Sequence, residues 1–392
     1  MVDCWLQIIG LGEDGLVGLS DANQAALAAA EVIFGGPRHM ALVNAGERGR
    51  AWSVPFDVTP VLALRGRPVV VLASGDPFWF GVGGTLAAHL GPAEWCVHPA
   101  PSTFSLTAAR LGWRLEMVTC LGLHAAPFAS ALAHLHPGAR LVCLLRSGAA
   151  AAEFAQWLDA QGFGASALWV LEALGGPRER IRSTTASGFD LSDVASPVAV
   201  AVEVAGALGL PRSPGLQDAG YAHDGQITKA PVRALTLAAL APRPGAHLWD
   251  IGAGSGSVSV EWCLAGGCAT AIEPRAARAA NVRSNAQRFG VADRLTVVEG
   301  AAPGALAGLP APQAIFVGGG FDAALFGLLQ ALGQGCRLVV NAVALETEAA
   351  LLGLHTLHGG ELLRIELARA ATLGRLRGWM PARPIVQWSV AL

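Results

Sequence analysis

The chain is poor in charged residues. They make up only 14% of its 392 residues, and the formal net charge at pH 7 is −2. Lys229 is the only lysine, which we interpret as a genomic bias towards arginine. A chain so close to neutral offers no broad basic surface, so we expect neither a nucleic-acid partner nor a membrane surface. Hydrophobic residues account for 53% of the chain, a fraction that excludes a disordered protein.

Long apolar runs are missing as well. The longest, 198–210, contains Glu203 and is shorter than the ~20 residues that a membrane-spanning helix needs. The first residues show no basic segment followed by an apolar one. We therefore expect no secretion signal and a cytoplasmic location.

Cysteines are few and scattered. The seven of them stand at positions 4, 96, 120, 143, 263, 268 and 336, with no C-x-x-C pair and no histidine at zinc-site spacing. Apolar neighbours, such as those of Cys143, are typical of buried thiols. We therefore predict no metal site and a full set of reduced thiols in the core.

The length and the breaker residues divide the chain into two halves. A chain of 392 residues is too long for one ordinary core. Proline, glycine and polar residues concentrate around 209–215, so we predict a first domain over 1–205, a linker over 206–225 and a second domain over 226–392. Apolar runs alternate with helical patterns in both halves, which predicts α/β domains with mainly parallel sheets.

The predicted strands are short apolar runs. In the first half they are 5–9, 69–73, 140–145 and 198–204, with helices at 21–30, 83–90 and 149–161. In the second half seven strands are predicted, at 246–251, 269–272, 295–298, 314–317, 337–341, 361–365 and 385–390. Helices alternate with the first five of these seven.

The most informative segment is Asp250 to Gly256, with glycines at every second position from Gly252. We predict that it joins the end of a buried strand to a helix over 258–264 through a glycine turn. Glycines permit positive φ and let a ligand lie against bare backbone, and the first helical turn offers free N–H groups. Glu273 follows about 20 residues later, where an acidic residue accepts hydrogen bonds from an adenosine ribose.

The glycine spacing separates two nucleotide classes. A nicotinamide dinucleotide requires a further glycine at position 257, which is Ser257. Acid-x-Gly-x-Gly-x-Gly instead resembles the first motif of class I S-adenosylmethionine (SAM) methyltransferases. SAM is cationic and carries no phosphate, so the carboxylate of Asp250 is favourable there. A nicotinamide-dependent oxidoreductase, and a glycine turn of some other α/β protein, stay open as alternatives.

Three segments of the first half carry chemical interest. A glycine loop with Gly10 and Gly12 follows the first strand, Gly75-Asp76-Pro77 follows another, and Pro101-Ser102 precedes a helix. In this order they resemble the tetrapyrrole methylase family (class III SAM methyltransferases), whose members bind SAM between two α/β subdomains beside a trough for the tetrapyrrole. The resemblance implies subdomains over about 1–110 and 111–205. It also implies that a first SAM site is lined by Gly10, Gly12, Gly75, Asp76, Pro77, Pro101 and Ser102.

The first loop departs from that family. Most members have a proline there, whereas this chain has Gly12-Glu13-Asp14. Together with the segment Phe34 to His39, this variation resembles the branch of the cobalamin pathway that methylates C5. We assign no catalytic role to Glu13 or Asp14.

The second half contains a set of short motifs, at 221–229, 250–256, 271–274, 298–303, 316–320 and 345–347. Together they resemble the C15 methyltransferase/decarboxylases of the cobalamin pathway, and the resemblance spans about 220–392. It implies a SAM site formed by Thr228, Asp250, Gly252, Ala253, Gly254, Ser255, Gly256, Glu273, Ala301 and Ala302. Thr228 also fits the N-cap region of a helix that starts near Pro231. Pro231 and Ala301 depart from the family, which usually has glutamate and aspartate at these positions.

A C5-type half followed by a C15-type half resembles the bifunctional methyltransferases of cobalamin biosynthesis. The resemblance implies an enzyme with two SAM sites that methylates precorrin-6B at C5 and C15 and removes the ring C (C12) acetate carboxylate to give precorrin-8. We expect a homo-oligomer. Because that tetrapyrrole is polyacidic, we predict that Arg375, Arg377 and Arg383 bind it. A chain with one catalytic half and one tetrapyrrole-holding half stays open as an alternative.

Overall fold

The computed structural model describes residues 4–332 and 335–392. The chain forms two compact units, each with its own sheets and helices. The first runs to Phe128 and resumes over His134–Leu208, and the second comprises Ala129–Ala133 and Gly209–Leu392. The predicted α/β class is confirmed.

The first unit contains an all-parallel sheet of five strands in the order β3-β2-β4-β1-β5. The strands are β1 Leu6–Leu11, β2 Val32–Gly35, β3 Gly49–Ala51, β4 Val69–Ser74 and β5 Trp95–His98. The helices that accompany them are α1 Asp21–Ala29, α2 Pro37–Leu42, α3 Thr59–Leu62, α4 Gly83–Ala87 and α5 Thr103–Leu111. The two central strands, β1 and β4, are buried along almost their whole length, as expected for a parallel sheet covered on both faces.

A second five-stranded sheet of this unit is mixed, in the order β6-β7-β10-β8-β9. Its strands are β6 Val118–Gly122, β7 Arg140–Leu145, β8 Ala167–Glu172, β9 Arg180–Thr185 and β10 Val198–Glu203, and α6 Ala149–Leu158 follows β7. Only β6 and β7 pair in parallel. The prediction of mainly parallel sheets is therefore wrong here. The connection 173–179 between β8 and β9 is too short for the helical crossover that parallel strands need, so the two strands form a hairpin.

The prediction of reduced thiols is wrong for two of the seven cysteines. Cys4 and Cys96 form a disulfide, with their Cα atoms 6.1 Å apart. They are 92 residues apart in sequence, and the pairing of the neighbouring strands β1 and β5 brings them together. Among the described residues Cys120, Cys143, Cys263, Cys268 and Cys336 are free.

The second unit contains the predicted seven-stranded sheet, in the order β13-β12-β11-β14-β15-β19-β16. Its strands are β11 His247–Ile251, β12 Cys268–Glu273, β13 Leu295–Glu299, β14 Ala314–Val317, β15 Arg337–Ala342, β16 Glu361–Ile365 and β19 Ile385–Ala391. The helices are α7 Ala230–Leu240, α8 Ser257–Leu264, α9 Ala276–Arg288, α10 Ala323–Leu332 and α11 Leu345–His358. The first five strands pair in parallel, and β19 runs antiparallel to both of its neighbours.

The segment between the last two predicted strands, for which no strand was predicted, forms a hairpin. Between β16 and β19, strands β17 Ala368–Leu373 and β18 Leu376–Pro381 pair with each other as a separate two-stranded sheet. Its side chains are mostly exposed, so the segment has no buried apolar run by which a strand could be recognised in the sequence.

The side chains of β11 alternate between the two faces of the second unit's sheet and so hold the glycine turn at the carboxyl end of this strand. Leu248 packs into a cluster on one face, whereas Trp249 and Ile251 pack into a cluster on the other. Each of these side chains is at most 3% exposed, and such burial stabilises a fold by about 1.5–3 kcal/mol per side chain. The strand is thus fixed on both faces, and its carboxyl end presents the loop that begins at Gly252. In the described part of the chain no helix has the length and hydrophobicity to span a membrane.

Candidate functional site

A cavity of about 470 Å³ lies at the carboxyl ends of the parallel strands in the second unit. We call it the back cavity. Strand β11 pairs with β12 on one side and with β14 on the other, so the strand order reverses at this point. Open α/β sheets bind ligands at such a reversal.

The glycine loop after β11 presents backbone to the back cavity. Gly252 and Gly254 have φ values of +71° and +60°, which favour glycine. The N–H of Gly252 donates to the carbonyl of Ile272 at 2.9 Å. A Cβ at Gly252 would lie 3.0 Å from backbone atoms of Gly319, so the two loops approach too closely for a side chain.

Glu273 is fixed by backbone donors at the end of β12. Its Oε2 accepts from the N–H of Gly254 at 2.8 Å, and its Oε1 accepts from the N–H of Arg275 at 3.0 Å. The residue is only 3% exposed but lines the back cavity. A carboxylate has about four acceptor positions, so lone pairs remain for two hydroxyl groups of a ligand.

Most of the residues that were predicted for this site line the back cavity. These are Thr228, Gly252, Ala253, Gly254, Ser255, Glu273, Ala301 and Ala302. Asp250 and Gly256 do not line it. Gly256 faces α9 instead, where a Cβ would lie 2.6 Å from Cγ1 of Val282.

Asp250 lies beneath the loop and is 1% exposed. Its Oδ2 accepts hydrogen bonds from the hydroxyl and the N–H of Ser259, whereas its Oδ1 has no hydrogen-bond partner in the described part of the chain. Burial raises the pKa of Asp250 to about 6. The carboxylate thus contacts the first turn of α8 and does not line the back cavity.

The start of α7 differs by one residue from the sequence prediction. Lys229, not Thr228, is the N-cap, and its side chain makes no capping bond. Asp218 supplies the cap instead, because its Oδ1 accepts from the N–H of Ala230 at 3.0 Å. The carbonyl of Thr228 accepts from the Arg233 guanidinium.

Sequence reasoning missed a chain of amide and hydroxyl groups below the back cavity. Asn341, near the end of β15, lines the cavity and donates to the hydroxyl oxygen of Thr236 at 2.8 Å. Gln387 donates to the same oxygen at 3.1 Å and to Oδ1 of Asn341 at 2.9 Å. The Asn341 amide is therefore held in one orientation. The signal in the sequence that could have identified Asn341 as a site residue was its position at the end of a predicted strand.

Three arginines that were predicted to bind substrate lie outside the back cavity. Arg375 and Arg377 belong to the β17–β18 hairpin, and Arg383 follows it. All three are exposed, and none of them lines the back cavity.

A cavity of about 340 Å³ lies in the first unit, and we call it the front cavity. Both sheets of the unit contribute to its wall, for example through Ser74 of β4 and Leu144 of β7. Four residues predicted for this site line it: Gly12, Gly75, Pro101 and Ser102. Gly10, Asp76 and Pro77 do not.

Backbone hydrogen bonds join the three motif segments of the first unit. The N–H of Gly75 donates to the carbonyl of Leu11 at 3.0 Å, and the N–H of Ala100 donates to the carbonyl of Gly75 at 3.2 Å. Gly10 makes this approach possible, since a Cβ there would lie 2.0 Å from the Gly75 oxygen. Gly10 therefore acts in packing.

Two polar side chains shape the loops around the front cavity. Ser102 is the N-cap of α5, and its hydroxyl accepts from the N–H of Ser105 at 3.1 Å. Asp76 accepts from the N–H of Phe78 at 2.8 Å, which fixes the turn after β4. The two residues thus support the wall, and Ser102 also lines it.

A charged cluster at the front cavity was also missed. Glu13 is 8% exposed and forms ion pairs with Arg38 and Arg178, the latter at 3.4 Å. Arg38 and His39 both contact the hydroxyl of Ser74. The signal in the sequence is the segment Phe34 to His39, which ends in the adjacent pair Arg38 and His39.

No metal centre emerges from this geometry. Over residues 4–332 and 335–392, no three side chains of His, Cys, Asp or Glu converge to hold a metal ion.

Two family models match the chain. Residues 6–190 match the family described as Tetrapyrrole (Corrin/Porphyrin) Methylases, and residues 219–392 match the family described as Precorrin methyltransferase domain. The first match includes the motif segments of the front cavity, and the second includes the glycine loop and Glu273.

Individual relatives cover nearly the whole chain or slightly less than half of it. A Sinorhizobium protein named precorrin-6Y C(5,15)-methyltransferase (decarboxylating) is 50% identical over 400 residues, covering 99% of this chain and 97% of that protein. A Pyrobaculum calidifontis protein named "Probable cobalt-precorrin-6B C(15)-methyltransferase (decarboxylating)" is 35% identical over 183 residues, covering 44% of this chain and 93% of that protein. The crystal structure of the C-terminal domain of precorrin-6Y C5,15-methyltransferase from Rhodobacter capsulatus is 57% identical and has a TM-score of 0.46, covering 46% of this chain and 99% of that one. With half of its residues identical over nearly its full length, this chain belongs to the family of decarboxylating precorrin-6Y C5,15-methyltransferases.

Proposed function

We propose that the chain methylates precorrin-6B at C5 and C15 and decarboxylates the ring C acetate, which yields precorrin-8. The observation that carries this proposal is the match of both halves to one bifunctional relative over 99% of the chain. Each half also contains a cavity beside the glycine motifs that are typical of its own methyltransferase class.

Methyltransferases of this family use SAM. When it is bound, SAM supplies a methyl group on a positively charged sulfur to a carbon nucleophile. We propose one SAM site in each half, because the two motif sets lie in separate cavities. We also propose the domain boundaries given above, with a linker over 206–225.

The residues of the back cavity fit SAM. Glu273 offers a fixed carboxylate for ribose hydroxyls, and the loop at Gly252 and Gly254 leaves room for a ligand against the backbone. Ser255 is 2% exposed and lines the cavity, and its buried hydroxyl has no hydrogen-bond partner among the described residues. A buried polar group without a partner is costly unless a ligand supplies one, so Ser255 is suited to hold a polar end of SAM.

The front cavity fits the same ligand by different means. Gly75 has a φ of +58°, and a Cβ there would lie 2.8 Å from Cα of Ser102. Gly12, Gly75 and Pro101 line the cavity, and the two glycines carry no side chain that would take up space in it. These three residues and Ser102 are those that we propose to contact SAM in the first half.

We assign C15 methylation and decarboxylation to the second half. The Pyrobaculum relative, named for the C15 reaction and decarboxylation, aligns with 44% of this chain and 93% of its own length. The tetrapyrrole methylase match covers residues 6–190, so we assign C5 methylation to the first half.

Methyl transfer requires the protein mainly to align the two reactants and to exclude water. The acceptor is a carbon of an electron-rich tetrapyrrole, so no strong base is required. In decarboxylation the bond between the acetate methylene and its carboxylate breaks, carbon dioxide leaves, and the ring accepts the electron pair before a proton from solvent is taken up. Apolar residues of the back cavity, such as Phe316, Val343 and Ile385, favour loss of that charge.

Two further parts of the proposal concern the surface. We propose that Arg375, Arg377 and Arg383 approach carboxylates of the substrate from the exposed hairpin region, because such a substrate needs cationic partners. We also propose that the protein is a homo-oligomer.

The experiment is mass spectrometry of precorrin-6B incubated with the full chain and SAM. We expect a gain of two methyl groups and a loss of carbon dioxide. Calorimetry with S-adenosylhomocysteine (SAH) should give a stoichiometry of two per chain. A product with one added methyl group, together with a single SAH site, would favour the alternative in which only one half is catalytic.

A further inference from the structure

Four side chains meet at the wall of the front cavity: Glu13, Arg38, His39 and Ser74, which we call the Ser74 cluster. Ser74 ends β4, and Arg38 and His39 lie in the first turn of α2. Nη2 of Arg38 is 2.6 Å from the Ser74 hydroxyl oxygen, and Nε2 of His39 is 2.9 Å from it. These contacts determine which way the hydroxyl hydrogen of Ser74 points.

The tautomer of His39 follows from its other ring nitrogen. Nδ1 accepts a hydrogen bond from the backbone N–H of Gly36 at 3.3 Å, so it carries no proton. Burial, and then the positive charge of Arg38, lower the pKa of His39 to about 4, so the ring is neutral near pH 7. With Nδ1 acting as an acceptor, the single ring proton is on Nε2, and His39 donates to Ser74. Nη2 of Arg38 also lies 3.0 Å from Nε2, but two donors cannot bond to each other, so this guanidinium nitrogen donates to Ser74 as well.

Ser74 consequently receives two hydrogen bonds. An arginine is always a donor, and His39 is a donor in this tautomer, so both acceptor positions of the hydroxyl oxygen are occupied. No residue in the described part of the chain accepts a hydrogen bond from Ser74. Because Ser74 is exposed and lines the front cavity, its hydrogen is available to a ligand in that cavity.

The charges around this hydroxyl favour an anionic ligand. Glu13, whose side chain is 6% exposed, is paired with two guanidinium groups, those of Arg38 and Arg178. With His39 neutral, two positive charges face one negative charge. The pairing with Glu13 also holds Arg38 in place, while 31% of the Arg38 side chain stays accessible.

We propose that Ser74 and Arg38 form a carboxylate-binding site in the front cavity, with Glu13 and His39 as positioning residues. The inference rests on the proposed function, since that function provides two sources of a carboxylate. One is an acetate or propionate substituent of the tetrapyrrole, and the other is the carboxylate of the methionine part of SAM. Hydrogen bonds to charged groups are stronger than those between neutral groups.

The test compares Ser74→Ala with Ser74→Thr in the full chain. Ser74→Ala removes the donor, whereas Ser74→Thr keeps a hydroxyl on the same carbon. Ser53→Ala is the matched control, because Ser53 is an exposed serine of the same unit that does not line the cavity. For each variant, KM and kcat of C5 methylation are measured by nuclear magnetic resonance with methyl-labelled SAM, and the Kd of SAH is measured by calorimetry. C15 methylation serves as the internal reference.

We expect Ser74→Ala to raise either the KM for the tetrapyrrole or the Kd of SAH by about 10-fold or more, which is the loss typical of a hydrogen bond to a charged group. The kcat should change little. Ser74→Thr should restore it, and Ser53→Ala should equal the wild type. A raised KM for the tetrapyrrole with unchanged SAH binding assigns the site to the substrate, whereas weakened SAH binding at the front site assigns it to SAM. If Ser74→Ala has the wild-type KM for the tetrapyrrole and the wild-type Kd of SAH, this inference is overturned while the proposed function stands. A wild-type chain that transfers no methyl group would overturn the proposed function and this inference with it.

Discussion

Ser259 donates two hydrogen bonds to one oxygen of Asp250. Its hydroxyl lies 2.6 Å from Oδ2, and its backbone nitrogen lies 3.3 Å from the same atom. Both residues are buried, and within residues 4–332 and 335–392 Oδ1 of Asp250 has no hydrogen-bond partner. Burial, together with the nearby negative charge of Glu273, raises the pKa of Asp250 to about 6 from its ordinary value of 3.8. The stability of the second unit therefore depends on the protonation of Asp250.

The sign of this dependence follows from the raised pKa. A proton is bound more tightly in the folded state, so the stabilising contribution is complete below the ordinary pKa of 3.8 and is lost as the pH rises through about 6. Asp250→Asn stays neutral at every pH. We expect the stability of this variant relative to the wild type to increase by about 1.4 kcal/mol between pH 5 and pH 8. Denaturant unfolding at the two pH values measures this difference.

The control for this experiment is Asp293→Asn, which changes an exposed aspartate of the same unit. Its stability relative to the wild type should not vary between the two pH values. An Asp250→Asn variant that shows no variation either would mean that Asp250 titrates normally.

Arg233 is a second buried charged residue, and its contribution to the free energy of unfolding can be measured. It is 0% exposed, and its Nε lies 2.5 Å from Oε1 of Glu261. Glu261 also accepts from the backbone N–H groups of Gly215 and Leu216 at 2.6 and 3.0 Å, so the pair fixes the segment before α7. We expect Arg233→Met to lower the free energy of unfolding by about 3–5 kcal/mol, because it leaves a buried carboxylate without its cation.

The exposed pair of Arg283 and Glu299 provides the comparison for Arg233. Arg283→Met should cost less than about 1 kcal/mol, because solvent screens such a pair. Thermal and denaturant unfolding of the two variants measure both effects. Equal losses in the two variants would contradict the role given to Arg233.

Local sequence patterns predicted the parts of the fold that depend on neighbouring residues. The seven strands of the second unit were recognised from short apolar runs, and the glycine loop was recognised from its spacing after β11. The central strands of the first sheet, at β1 and β4, were recognised in the same way. A strand that is buried on both faces of a sheet has a nearly continuous apolar run, so it is easily recognised in the sequence.

Features that depend on distant contacts were not predictable in this way. Ser74 and His39 are 35 residues apart in sequence, and only the fold brings them together. The disulfide between Cys4 and Cys96 depends in the same way on the pairing of β1 with β5. Asp250 stands at the correct spacing from the loop glycines for a ligand contact. Its side chain is nevertheless buried at the end of the strand.

Gly10 allows the loops of the first unit to approach each other. A Cβ at this position would lie 2.6 Å from the nitrogen of Ala100, in addition to its clash with the Gly75 oxygen. Gly10→Ala must therefore break the hydrogen bond between Ala100 and Gly75. We expect loss of the front SAM site, so that the SAH stoichiometry falls from two to one and C5 methylation stops. Calorimetry and product analysis of the full chain measure these changes.

Gly84 is the matched glycine for this experiment. It lies in α4, and a Cβ there would meet no atom within 4 Å. Gly84→Ala should therefore retain both SAH sites, with stability unchanged or raised by about 0.5–1 kcal/mol. If Gly10→Ala also retains both sites, the close approach at Gly10 is not required for the front cavity.

Arg377 tests whether the β17–β18 hairpin takes part in substrate binding. Its side chain is exposed and opposite Thr372 in the hairpin. We expect Arg377→Ala to raise the KM for the tetrapyrrole, because a carboxylate loses a cationic partner, and to leave SAH affinity unchanged. Steady-state kinetics and calorimetry separate the two quantities. Arg288→Ala, which changes an exposed arginine at the end of α9, should leave both unchanged, and an unchanged KM in Arg377→Ala would remove the hairpin from the site.

Glu273 provides the most direct test of the back SAM site. Its two oxygens are fixed by the N–H groups of Gly254 and Arg275 and retain lone pairs for the ribose hydroxyls. Glu273→Gln removes the charge and replaces one acceptor by a donor, so we expect the Kd of SAH at this site to rise about 10- to 100-fold. Glu299 ends the neighbouring strand, opposite Glu273 in register, but does not line the cavity. Glu299→Gln should therefore bind SAH like the wild type. Equal affinities for the two variants would exclude Glu273 from the ribose, because the charge change and the position along the strand are the same in both.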